Sequence, residues 1–210
     1  MPNMQEMLNL LMGLPALLLA LTFHELGHGL ASYLLGDPTA KNQGRLTLDP
    51  IAHIDPIGFF ALLFFKFGWA KPVPIDPRYY KNRKLGIALT SIAGPMSNFI
   101  LAVITGLIFR FAYNAQIEFF FSNDIMFNFM SSLLIYNISL GLFNLIPIPP
   151  LDGSKILASM LPDKLEYKFY QYERYSMVIL VLFMYLGVFR TIFSPIVNGA
   201  INLFISNIIF

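Results

Sequence analysis

The sequence predicts an all-α integral membrane protein, a polytopic bundle of about 4–5 transmembrane helices with a re-entrant, β-like segment dipping into the membrane. Three observations carry this. Of 210 residues, 56% are apolar and only 12% charged, about half the charge of an ordinary soluble domain. Four apolar runs are long enough to cross a bilayer, at about residues 8–35, 85–111, 125–146 and 176–205. Lysine and arginine are confined almost entirely to two of the connecting segments. The same numbers exclude a disordered chain. A net charge of +2 gives no argument for a nucleic-acid partner, so none is expected. Cysteine is absent, which excludes a disulfide, a thiolate nucleophile and a cysteine zinc site.

The first run has no basic residue before it and no small-residue cleavage site. It reads as a permanent helix and not as a removed leader. The next apolar run, Ile57–Trp69, is boxed in by Asp55-Pro56 and Pro72. It is too short to cross, so residues 51–75 are expected to form a re-entrant or interfacial segment. Two strand-like pieces flank it, Gly44–Leu48 and Trp69–Ile75, and the prolines in the second mark it as an edge. The second and third runs each span. The third must end before Pro147, Pro149 and Pro150, after which Asp152-Gly153 opens a further helical stretch, Ser154–Leu161. The fourth starts near Ser176 and is expected to break at Ser194-Pro195, leaving one or two crossings open. Residues 1–210 read as a single domain.

Orientation follows from the basic residues. Lys41, Arg45, Lys66, Lys71, Arg78, Lys81, Arg83 and Lys84 lie between the first and second spans. Lys155, Lys164, Lys168 and Arg174 lie between the third and fourth, and only Arg110 and Arg190 fall on the other side. The excess places residues 36–84 and 150–175 in the cytoplasm. The brevity of the chain points to a prokaryotic cell (inner) membrane.

The first span, LLLALTFHELGHGLASYLL, carries His24, Glu25 and His28 at membrane depth. Ionisable groups are expensive there and mark function by default. His24 and His28 are four apart, so both lie on one helix face and can hold one Zn²⁺. Glu25 beside them can reach a metal-bound water. This is the HExxH arrangement, with the glutamate as general base. Catalytic zinc takes a third protein ligand. Asp152 is the strongest carboxylate and His53 the remaining imidazole. By spacing alone, Asp152 serves equally well as a ligand or as a helix cap after the proline run. His53 reads as a loop hydrogen-bonder, a substrate contact or an alternative ligand.

HELGH in the first span, AGPMSNF at Ala93–Phe99 and NLIPIPPLDG at Asn144–Gly153 together resemble the site-2 protease family, intramembrane zinc metalloproteases. The run GWAKPVPID at Gly68–Asp76 is similar to a segment of their short bacterial and archaeal members. The resemblance implies one Zn²⁺ per chain, held by His24, His28 and Asp152, with Glu25 as catalytic base. It implies an endopeptidase that works within the lipid bilayer on a transmembrane helix of a substrate membrane protein. Asn144 and Asn98 are then candidates for oxyanion donor or substrate clamp, although both also suit hydrogen bonding between helices. His24 lies eleven residues before Leu35, ~16 Å of helix, so the active site is expected toward the cytoplasmic side, with a water path to it. The competing reading is a metal-binding membrane adaptor or transporter that does not cleave. A transporter would spread polar groups over several helices, whereas here they concentrate in one helix and one broken segment.

Overall fold

A computed structural model describes residues 4–65 and 68–209. They fold into helices α1 (Met4–Leu34), α2 (Thr39–Asn42), α3 (Pro56–Phe65), α4 (Arg83–Asn114), α5 (Glu118–Ser122) and α6 (Asp124–Asn144). The series continues with α7 (Asp152–Met160), α8 (Asp163–Tyr185) and α9 (Val188–Phe204). Among the described residues, four segments are long and apolar enough to cross a membrane: Gly13–Leu34, Arg83–Asn114, Asp124–Asn144 and Thr191–Ile209. In hydrocarbon each must satisfy its own backbone polar groups, which a helix does.

Helices α1, α4 and α6 pack on one another, and α7 lies against α4. Ala16, Leu101 and Leu133 meet where the three long helices converge. A second cluster joins Ala102 and Phe109 of α4 to Met130, Leu134 and Ile138 of α6. The opposite face of α4 is apolar and exposed at Leu85, Leu89, Ile92, Met96, Ile100 and Leu107. Spacings of three, four and seven residues make this one lipid-facing stripe. The buried face carries polar groups instead, Thr90, Asn98 and Thr105. Polar inside and apolar outside is the arrangement a bilayer favours.

The ends are fixed locally. Gly36 closes α1 in the left-handed region (φ 102°), and the Asp37 N–H then bonds the Ser32 carbonyl. Asp37 is fully buried and accepts from Ser32 Oγ, Thr39 N and Asp76 N. It thereby ties the end of α1 to residues 69–80. Asn82 caps α4 by accepting from Leu85 N. Arg83 of α4 reaches the buried Glu166 of α8 at 2.8 Å.

Three expectations are corrected. No strand is present among the described residues, and the β-like pieces reduce to one antiparallel bridge, Ile54–Ala70. Pro72 and Pro74 cannot donate to a ladder. Gly44–Leu48 is instead a turn, with Arg45 N bonded to the Ala40 carbonyl. The C-terminal break falls at Gly187 (φ 72°), where glycine tolerates the left-handed turn, and Pro195 lies within α9. The stretch from Ser176 to Tyr185 therefore belongs to α8, and the fourth candidate span begins at Thr191. In the segment 51–75, α3 is ten residues long, ~15 Å of helix, about half the hydrocarbon thickness.

Candidate metal centre

The three predicted ligands come together. His24 Nε2, His28 Nε2 and Asp152 Oδ2 form a triangle with sides of 3.1 Å (His24–His28), 3.1 Å (His24–Asp152) and 2.9 Å (His28–Asp152). All three residues are buried. The two imidazoles stand perpendicular, as neighbours one turn apart on α1. Asp152 arrives from the first residue of α7, after the proline-rich break that ends α6. The N-cap position of α7 is Leu151, and the Asp152 carboxylate is engaged by His24, His28 and Lys155.

The tautomers follow from the partners. His28 Nδ1 lies 2.7 Å from the Thr90 carbonyl, so Nδ1 carries the proton. His24 Nδ1 lies 2.7 Å from Asn98 Oδ1. The Asn98 amide cannot be turned round, because its Nδ2 donates to both the Ala20 carbonyl and Asn137 Oδ1. His24 therefore also donates from Nδ1. Both Nε2 atoms are left as lone pairs facing each other and a carboxylate oxygen. Three electron-pair donors at this separation repel in a buried site unless a cation lies among them. The donor set, two imidazoles and one carboxylate, is a zinc set.

The packing that permits this is specific. A Cβ on Gly94 would lie 2.3 Å from His28 Nε2 and 2.9 Å from His24 Cε1, so only glycine lets α4 pass so close to the imidazoles. A Cβ on Gly153 would lie 2.2 Å from the Leu145 carbonyl oxygen, so the turn that delivers Asp152 also requires glycine. Lys155, one turn along α7, donates to the second Asp152 oxygen at 3.1 Å.

Glu25 sits beside the triangle, and its Oε2 accepts from the Val73 N–H at 2.8 Å. The extended segment holding Val73 is anchored through both backbone groups of Lys71. Lys71 N bonds the His53 carbonyl, and Arg45 donates to the Lys71 carbonyl. Of the other predicted residues, Asn98 lies directly behind His24 with both amide hydrogens engaged. Asn144, at the end of α6, donates to the Leu140 carbonyl. His53 is buried away from the triangle, its Nε2 bonded to the Thr47 carbonyl. Asn137 was missed, although a buried amide in an apolar span is itself a signal. The Thr90 carbonyl and Val73 N–H are backbone groups with no residue-type signature.

The profile of peptidase family M50 matches residues 119–187. YwhC of Bacillus subtilis (strain 168), named provisionally as a zinc metalloprotease, is 44% identical over 171 residues, 80% of this chain and 78% of its own. Rip2 of Mycolicibacterium smegmatis, provisionally named likewise, is 29% identical over 65% of this chain and 52% of its own. The zinc metalloprotease MJ0392 of Methanocaldococcus jannaschii is 29% identical over 72% of this chain and 34% of its own. No solved structure matches the chain. With a relative of 44% identity aligned over most of both sequences, this chain belongs to peptidase family M50, the site-2 protease family.

Proposed function

We propose that His24, His28 and Asp152 hold the zinc ion of an intramembrane endopeptidase and that Glu25 is its general base. The protein is a zinc metallopeptidase of the membrane, as its family and relatives indicate. Members of this family act on transmembrane segments of membrane proteins, and such a segment is the substrate class assigned here. The observation that carries the reading is the convergence of three buried electron-pair donors next to a glutamate on the same helix.

When bound, zinc supplies Lewis acidity at the scissile carbonyl and acidifies water. Glu25 takes a proton from the attacking water at a carboxylate oxygen and returns it to the nitrogen of the leaving amine. The Val73 N–H holds Glu25 through Oε2 and fixes its rotamer. Asn98 and the Thr90 carbonyl hold the two imidazoles in the Nδ1–H tautomer. Asn98 is thus a positioning residue, since both its amide hydrogens are engaged. Asn144 remains the candidate donor toward substrate.

The excess of basic residues in 36–84 and 150–175 supports a site on the cytoplasmic side, and the membrane assigned here is a prokaryotic inner membrane. Residues 1–210 act as one catalytic domain, with α3 dipping into the membrane beside α1.

The test is Glu25→Gln. It is expected to keep zinc and fold and to abolish cleavage of a transmembrane substrate. Full cleavage by this variant removes the base assignment.

A further inference from the structure

Each imidazole of the proposed metal centre is held from behind, His24 by Asn98 and His28 by the Thr90 carbonyl. A backbone carbonyl holds an imidazole only as firmly as its own helix is held. A second contact between the same two helices does this for Thr90. Ser32 follows His28 by one turn on α1 and is fully buried. The Tyr80 hydroxyl lies between Ser32 Oγ, at 2.7 Å, and Thr90 Oγ1, at 3.0 Å. Tyr80 stands just before the Asn82 cap of α4. Its buried ring lies against the first turn of α4, where a Cβ on Gly86 would come within 2.2 Å of Tyr80 Cδ2. Thr90 thus meets α1 twice, by its carbonyl at His28 and by its hydroxyl, through Tyr80, at Ser32.

The direction of the hydrogens follows from the far end of this chain. Asp37 accepts from Ser32 Oγ and Asp76 N at Oδ2, and from Thr39 N and Thr39 Oγ1 at Oδ1. These donors fill the lone-pair sites of an ionised carboxylate. The single Ser32 hydroxyl hydrogen goes to Asp37. The Tyr80 hydrogen therefore goes to Ser32 Oγ, and the Thr90 hydrogen goes to the Tyr80 oxygen. Every hydrogen points toward the negative charge, so each link is reinforced by the next in a buried setting. Thr22 and Thr105, also in apolar helices, turn their hydroxyls back on the carbonyl four residues earlier. Thr90 directs its hydroxyl to Tyr80 instead.

We propose that Tyr80 is a positioning residue for His28. Its hydroxyl ties α4 to α1 through Thr90 and Ser32 and so fixes the Thr90 carbonyl against His28 Nδ1. This rests on the function proposed above, and it gives each imidazole its own clamp, Asn98 for His24 and the Tyr80 chain for His28. Tyr80→Phe keeps the ring on Gly86 and removes the link. Thr90 Oγ1 is then free to fall back on the Gly86 carbonyl, and the separation of the two helices at His28 is no longer set.

The experiment uses the full chain in detergent, as wild type, Tyr80→Phe, Ser32→Ala, Thr90→Val, Thr90→Ser and the double variant Tyr80→Phe/Thr90→Val. Chelator competition gives zinc affinity. Visible absorption of the cobalt-loaded protein reports ligand geometry, and circular dichroism confirms folding. Tyr80→Phe is expected to weaken zinc about fivefold, the effect of one buried hydrogen bond, and to shift the cobalt bands. Ser32→Ala breaks the same chain on the other side of the tyrosine and should do the same, so it carries the test if Tyr80→Phe does not fold. Thr90→Val should match Tyr80→Phe, the double variant should be no weaker than either single one, and Thr90→Ser should bind as wild type. Wild-type affinity in Tyr80→Phe, losses that multiply in the double variant, or a Thr90→Ser as weak as Thr90→Val overturns the proposal. So does weaker zinc binding with unchanged cobalt bands, which marks a tyrosine that serves folding alone. A wild type that holds zinc while these tests fail loses the positioning role only. A folded wild type that takes up no zinc overturns both this proposal and the function it rests on.

Discussion

The Nδ1–H of His24 is held by Asn98 Oδ1 at 2.7 Å, and Asn98 is wholly enclosed between α1, α4 and α6. Asn98 Nδ2 bonds the Ala20 carbonyl one turn before His24, and Asn137 Oδ1 takes its second hydrogen. Asn137 in turn donates to the Leu133 carbonyl. Two amides thus fix the tautomer and direction of one imidazole. The polar groups that three apolar helices bury in common serve the proposed metal centre.

Asn98→Ala is therefore expected to lower zinc affinity by about 10–100-fold, the usual effect of removing a partner of a metal-bound histidine. Asn98→Asp keeps an oxygen opposite His24 and should fall between wild type and alanine. Competition with a zinc chelator measures both. Equal affinity in wild type and Asn98→Ala removes the positioning role.

Gly94→Ala places a methyl group where the His28 imidazole stands. It is predicted to weaken zinc binding at least tenfold and to destabilise the protein by about 1–3 kcal/mol, the range for overpacking a tight contact. Zinc titration together with thermal denaturation in detergent checks this. An unchanged zinc affinity shows that α4 does not crowd the ligands as described.

Asp37 gives a pH dependence. Burial pushes its carboxyl upward, but bonds from Asp76 N, Thr39 and Ser32 outweigh burial and hold it below the usual carboxylate range. A depressed folded-state value stabilises above the unfolded value, ~3.9, and that stability is lost as pH falls through the depressed value. Asp37→Asn should lower the melting temperature at pH 7, with a loss of about 1–3 kcal/mol. The gap to wild type should hold from pH 7 to 5 and narrow below pH 4. A gap that widens with acid contradicts the assignment.

Much of this was legible in the sequence because the signals are local. Two histidines four apart share a helix face whatever surrounds them, and membrane depth gives that face a meaning. Long apolar runs must be helices in lipid, and the first three coincide with helices long and apolar enough to cross a membrane. Asp152 was visible only through the proline run that breaks α6. The choice between ligand and cap needed the tertiary path of α7. The strand expectation failed at Pro72 and Pro74, where extended conformation survives without N–H donors. The C-terminal break was assigned to Ser194-Pro195 because proline is the louder signal, yet Gly187 makes the turn. The Val73 N–H and Thr90 carbonyl belong to the backbone, which every residue shares. No reading by residue type finds them.

The central claim is that three side chains hold one metal ion inside the membrane. Zinc per chain in detergent-purified protein tests it most directly, for wild type, His28→Ala and Asp152→Ala, with circular dichroism to confirm that each is folded. The account predicts about one zinc in wild type, set by one three-ligand site, and a clear loss in both variants. A folded wild type without zinc, or an Asp152→Ala variant that keeps it, contradicts the account.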